Sequence, residues 1–277
     1  MASQQELIPS AEVASRPMSR LNGSTQTGAV KCRPAICRDE LEAAYKRVYE
    51  RYHQKGYIDG NRSGLHVSLY NVLPSTVTFV GLEGTEVSAT MSLVADSEFG
   101  LPMDQVYRAQ TDRLRREGRR LVEAIRFANH TLDSHIRPSS VLLLLMKRVY
   151  DYALHVLDAD DICIAVHPRH RPFYERSLLF RSFGPVREYP SVNGNESVAM
   201  RVDLNTIRER SRHRTDLQEH FFRSRTPLPE LLKHYVMGPA DLHYFFLQRS
   251  NLFKNLTGPQ LARLQELYPH CPWEEWV

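Results

Sequence analysis

Between Arg119 and Phe183 the chain contains no glycine. That span therefore has no Gly-rich loop of the kind whose backbone N–H groups wrap a pyrophosphate. The four cysteines, Cys32, Cys37, Cys163 and Cys271, show neither a disulfide framework nor zinc spacing. His167 and His170 have the three-residue separation of some metal ligands, but Pro168 interrupts any helix there. No acidic partner or further histidine stands at a useful offset, His130 and His135 form no pattern, and no metal site is expected. No apolar run approaches the roughly 18 residues of a membrane span; the longest, Val141 to Met146, reads as a helix core. The N-terminus lacks the charged-then-apolar layout of a secretory signal. These absences predict a soluble, cytoplasmic chain whose Cys163 is a buried, reduced thiol.

What is present points to an α/β protein. With 42% hydrophobic content, 277 residues can bury one good core and a second small one. The net charge of +4 is unevenly spread, with basic clusters at Arg113–Arg120 and Arg208–Arg214. Residues 1–29 are polar and aperiodic and read as a disordered tail. Val30–Arg33 begins a strand, and Asp39 with Glu42 offers a capping box for an amphipathic helix from Glu40 to Gln54. Strands follow at 76–80 and 87–93, turned by Glu83-Gly84. A basic helix over Asp104–Arg116 comes next, its inner stripe made of Val106, Tyr107, Gln110 and Leu114. Leu121–Ala128 reads as a strand, Ser139–Leu157 as an apolar helix and Asp161–Val166 as a strand. This unit predicts two parallel neighbours joined by a right-handed crossover. Ser182–Tyr189 and Ser197–Asp203 form a hairpin turned by Asn193-Gly194. Residues 30–204 are thus one domain, and 205–277 a helical C-terminal extension. The aromatics of that extension need a surface to bury against, either the sheet domain or another chain.

Two stretches carry candidate chemistry. In LVEAIRFA, strict alternation puts Glu123 on the face of Leu121, Ile125 and Phe127, with Arg126 opposite. A carboxylate on an apolar face is either a paired structural staple or a base with raised pKa. For Arg126 the alternatives are a salt bridge and a substrate contact. The stretch IAVHPRHRPFYERSLLF runs from a strand through a turn bearing His167, Arg169, His170 and Arg171 into a helix with Tyr174. Loops at strand ends commonly carry function.

These stretches also carry a resemblance. FYERSLLF is similar to the Phe-Tyr-x-x-x-Gly-Phe hallmark of GNAT acyltransferases, with Leu179 where glycine is usual. YNVLPSTVTFVG, MSLVADSEFGLPMDQVY, VHPRHRPFYERSLLF and REYPSVNGNESVAMRVDL together resemble the GNAT-like N-acyl amino acid synthases. These are cousins of the acyl-homoserine-lactone synthases, whose Glu-x-Ser-Arg-Phe strand is similar to VEAIRF. The resemblance covers Val30–Leu204. It implies a mixed, mostly antiparallel sheet whose central parallel pair splays to admit an acyl thioester's pantetheine arm.

It further implies an acyltransferase moving a fatty acyl group from acyl carrier protein to the α-amine of an amino acid. Glu123 would be the base and Tyr174 the acid for the departing thiolate. Arg126, Phe127, His167 and His170 would bind substrate, with backbone N–H groups near Phe127 holding the oxyanion. The absent glycine loop favours a single-phosphate arm over coenzyme A. Arg137, Ser139, Ser140, Lys147, Arg169 and Arg171 would receive the phosphopantetheine and the acidic carrier. No cofactor is bound permanently, and membrane contact would come only peripherally through the lipid product. The alternatives are a lactonising signal synthase, which needs an S-adenosylmethionine pocket not visible here, and a non-catalytic regulator binding nucleic acid through Arg208–Arg214.

Overall fold

The structure is a computed structural model describing residues 30–129, 138–223 and 225–276. The segment read as a disordered tail lies outside the described residues, as do His130, His135 and Arg137. Among the described residues no helix is long and apolar enough to cross a membrane.

The seven strands are β1 (Lys31–Pro34), β2 (Thr76–Glu83), β3 (Glu86–Ala95), β4 (Leu121–Asn129), β5 (Asp161–Val166), β6 (Arg181–Glu188) and β7 (Glu196–Asp203). They form one sheet in the order β1-β2-β3-β4-β5-β7-β6. Every neighbouring pair is antiparallel except β4 with β5. The helices that matter to the site are α1 (Arg38–Gln54), the single turn α2 (Leu69–Val72), α3 (Asp104–Arg116), α4 (Pro138–His155) and α5 (Arg171–Leu178). Helix α4 joins the parallel strands, because a parallel connection needs a crossover.

The α4 face of the sheet buries Val122 and Ala124 against Val141, Leu145 and Val149. On the other face, Leu121 and Val94 pack with Tyr107 and Leu114 of α3. Val80 and Val87 there meet Leu41 and Tyr45 of α1. The C-terminal aromatics complete these cores rather than forming a separate body. Phe221 and Leu231 join the α4 cluster, whereas Phe245, Phe246, Phe253 and Trp273 pack with α1 and β2.

Two local expectations are corrected. The capping box on Asp39 does not form: α1 begins at Arg38, placing Asp39 inside its first turn. Glu40 takes the capping role instead, accepting the Ile36 N–H at 2.9 Å and pairing with Arg33 at 2.6 Å. Glu42 accepts from the Tyr244 hydroxyl at 2.9 Å, tying α1 to the C-terminal segment. In α3, a kink at Tyr107 (φ −118°, ψ 23°) rotates the inner stripe, so Thr111 is buried in place of Gln110.

Candidate active site

The parallel pairing of β4 and β5 is short. It spans Leu121–Glu123 against Asp161–Cys163, and both strands continue beyond it. Past Glu123 the β5-facing backbone groups of β4 have no ladder partner on that side. Unpaired backbone groups need another hydrogen-bond partner, and the two strands run on unpaired with each other past this point.

Glu123 stands at the point of divergence and is 1% exposed. Its Oε2 accepts the Met103 N–H at 2.8 Å. That donor is held in place by the turn before α3. The Asp104 carboxylate accepts the Leu101 N–H at 3.0 Å, the Thr111 hydroxyl at 2.5 Å and Arg115 at 2.6 Å. Gly100 is needed here, because its φ is +70° and a Cβ would sit 2.4 Å from Asp104 Oδ2. Burial pushes the Glu123 carboxyl up to about 8; the Met103 bond opposes the shift and the Asp104 charge adds to it. A carboxyl so placed exchanges its proton near neutral pH, as a general base must.

Arg126 corrects the alternation argument. It adopts φ +58°, and the β3–β4 register shifts between Thr90 and Ser92. This is a β-bulge, which re-aims side chains at a strand end. Phe127 consequently packs with the α4-face cluster rather than with Leu121. Arg126 turns toward the α1 side and donates to Asn71 Oδ1. Glu123 and Arg126 are thus brought within electrostatic reach of each other, not set on opposite faces. Tyr52, Tyr45 and Tyr189 surround the guanidinium. His66, withdrawn from water and near Arg126, is pushed down to about 3 and is neutral.

Tyr174 is 9% exposed. Its ring meets Phe173 and Phe180 edge-on at 5.6 and 5.7 Å, and burial pushes its hydroxyl up. Leu179, where the hallmark has glycine, adopts φ +59° and caps α5. The left-handed requirement is therefore kept without the residue that meets it most easily. His167 accepts the Arg169 N–H at 3.2 Å and caps the turn, while Arg169 Nε donates to His170 Nε2 at 3.2 Å. Arg169 and Arg171 are exposed, and Arg171 pairs with Glu175 at 2.7 Å. Ser139 and Ser140 open α4, with Ser139 exposed and Ser140 half-buried.

Lys147 does not lie at a surface. It is 6% exposed and ion-paired with Asp151, which also accepts the Thr226 N–H at 3.1 Å. This pair anchors the C-terminal segment to α4, so Lys147 is removed from the docking set. Part of each basic run is likewise engaged internally. Arg115 holds Asp96, Asp104 and Asp112, and Arg119 holds Asp161 and Asp203. Arg210 and Arg214 donate to the Leu179 and Arg176 carbonyls at the end of α5.

Sequence reasoning did not single out Asn71, His66, Tyr70, Tyr189 or Lys55. Tyr70, near Glu123 and Asp104, is pushed up to about 12 by burial. Lys55 lies near Arg51 and Arg169. Tyr70, Asn71 and Tyr189 fall within the quoted resemblance stretches, which was their one available signal. His66 sits in an aperiodic loop and had none. Among the described residues no cluster of His, Cys, Asp and Glu could hold a metal ion.

The comparisons with known proteins follow this geometry. Residues 43–203 match the family model described as N-acyl amino acid synthase FeeM. The solved structure of FeeM, an N-acyl amino acid synthase from uncultured soil microbes, is 26% identical with a TM-score of 0.58. That alignment covers 67% of this chain and 96% of FeeM. The acyl-homoserine-lactone synthase LasI is 16% identical with a TM-score of 0.51, covering 72% of this chain and 97% of LasI. BjaI, a coenzyme A-dependent acyl-homoserine lactone synthase, is 15% identical with a TM-score of 0.50, covering 66% and 89%. At 16 and 15% identity these two likenesses are of fold alone. No curated protein sequence matches. The family match takes in more than half of the chain, including the diverging strands, Glu123 and Arg126; the chain is an acyltransferase belonging to the FeeM family of N-acyl amino acid synthases.

Proposed function

We propose that the protein transfers a fatty acyl group from the phosphopantetheine of an acyl carrier protein to the α-amine of an amino acid, working in the cytoplasm. The observation that carries this reading is Glu123. It is a buried carboxyl at the point where two parallel strands part, with its proton affinity raised to about 8. An ammonium acceptor must lose a proton before its nitrogen can attack a thioester carbonyl. Glu123, directly or through water, takes that proton. The nitrogen then bonds to the carbonyl carbon, and free β4 N–H groups near Phe127 stabilise the oxyanion. Collapse breaks the carbon–sulfur bond, the Tyr174 hydroxyl protonates the thiolate, and the second proton shed by the newly bonded nitrogen restores the tyrosine, leaving a neutral amide and a thiol. Holding amine against thioester in one cleft removes much of the entropic barrier.

The donor reading rests on charge. Arg169 and Arg171, joined by Lys55 and Arg51, give the turn after β5 a basic rim suited to an acidic carrier. Ser139 and Ser140 at the start of α4 would meet the arm's single phosphate. His167 and His170, hydrogen-bonded to Arg169 in the same turn, are the proposed substrate contacts beside it. Since BjaI is coenzyme A-dependent, the donor must be measured. Purified protein is to be given one acyl chain on carrier protein or on coenzyme A, with a mixture of amino acids, and the products read by mass spectrometry. An N-acyl amino acid formed faster from the carrier is the expected result. Equal rates from both donors sink the carrier assignment, and no acylated amine from either sinks the whole reading.

A further inference from the structure

Arg115 and Arg119 on the α3 side of the sheet are matched with carboxylates, and among the described residues no ion pair joins Arg126 to one. Arg115 holds three aspartates and Arg119 two. Among the described residues, the hydrogen bond of the Arg126 guanidinium runs to a neutral acceptor, Asn71 Oδ1. Glu123, the carboxyl on its own strand, does not neutralise it, because that group is bonded to Met103 and holds its proton near neutral pH. His66 is neutral, and the surrounding Tyr45, Tyr52 and Tyr189 offer hydroxyls but no charge.

A half-buried cation whose partner among the described residues is a neutral amide oxygen is costly unless an anion arrives to complete it. The backbone is bent to present it, since Arg126 occupies the left-handed region that non-glycine residues avoid. An amino acid carries its ammonium and its carboxylate on one carbon. The bulge brings a proton acceptor and a guanidinium, three residues apart on β4, toward one another.

We propose that the Arg126 guanidinium receives the α-carboxylate of the acceptor amino acid, an assignment that rests on the acyl-transfer reading above. A guanidinium fork meets a carboxylate with two parallel charge-assisted hydrogen bonds. Arg126 thereby selects amino acids over simple amines and sets the α-amine toward Glu123. Asn71 is the positioning residue. It is 2% exposed, its Oδ1 also accepts the Ser68 N–H at 2.9 Å, and its Nδ2 is a buried donor with no partner among the described residues.

The test compares one acceptor amino acid with its own carboxamide in the parent protein, Arg126→Gln and Asn71→Asp. The parent should prefer the acid in kcat/KM by roughly 10- to 100-fold, the range of a hydrogen bond to a charged group. In Arg126→Gln that preference should vanish, through KM for the acid. Asn71→Asp keeps an acceptor for the Ser68 N–H and leaves the guanidinium in place, but supplies a resident carboxylate that competes with the acceptor's. The acid-to-amide ratio should fall there too, which answers the case in which Arg126→Gln does not fold. A parent that acylates acid and amide equally well overturns the inference and leaves the acyl-transfer reading standing. So does an Asn71→Asp variant with an unchanged ratio. A parent that acylates neither takes down both.

Discussion

The Met103 amide donates to Glu123 Oε2 at 2.8 Å, linking the turn before α3 to the strand at which the sheet parts. One hydrogen bond to the charged form does not offset full burial, so the carboxyl remains raised to about 8. If Glu123 is the base, it works ionised. The turnover of the parent should therefore climb with pH and level off above about 8. Glu123→Gln should lose roughly 10²–10⁴-fold in kcat and lose that pH limb. A Gln variant acylating at the parent rate across the pH range removes Glu123 from the chemistry.

The same carboxyl fixes a stability trend. Its proton affinity rises from 4.5 to about 8 on folding, so the native state binds more protons than the unfolded state between those values. Stability should be full below about 4.5 and fall as pH rises through 8. His66 works the other way: lowered from 6.5 to about 3, it contributes above 6.5 and loses that contribution as pH falls toward 3. Urea midpoints of Glu123→Gln and His66→Asn, each measured against the parent from pH 4 to 9, should flatten the alkaline and the acid slope respectively. Parallel curves for parent and variants would contradict both assignments.

Tyr174→Phe keeps the ring between Phe173 and Phe180 and deletes the hydroxyl. If that hydroxyl protonates the leaving thiolate, single-turnover acyl transfer should slow by about 10²-fold or more, with the thermal midpoint nearly unchanged. Unaltered single-turnover chemistry reduces Tyr174 to packing.

Reversing Arg169 and Arg171 to Glu should depress activity with carrier-bound donor far more than with an acyl-pantetheine fragment. It should also flatten the salt dependence, since steering fades as ionic strength rises. An equal loss with both donors defeats the docking idea. Lys147→Met should behave differently: it strands Asp151 in the interior, costing about 3–5 kcal/mol of stability, and should leave the salt dependence as it is. Denaturant titration beside a salt series separates the two effects.

How far the sequence could be read follows from the range of each signal. Strands β3 and β7 were legible because alternation runs through them, and β5 because it is a short apolar run; the extent of α3 was legible, but the kink at Tyr107 shifts its inner stripe. Glu123 was legible because a carboxylate among Leu121, Val122 and Ile125 is conspicuous. Arg126 was assigned to the wrong face because one left-handed residue breaks a period-two argument from that point on. The resemblance puts Lys147 among the carrier-docking residues although Asp151 stands four residues on, the spacing of a helical ion pair. That pair was visible, but its burial depends on Thr226, far away in the chain. His66 and Asn71 owe their roles to a loop folded against the bulge, a contact between distant segments that no local pattern encodes.

The packing of the last residues decides what light can report. Both tryptophans pack on Phe253, Trp276 stacked and Trp273 tilted, in the cluster that backs α1 and β2, on elements beyond the family-matched segment. Intrinsic tryptophan emission therefore watches the C-terminal wrap fasten onto the sheet. A stopped-flow fluorescence trace on this protein would time the closing of its seam.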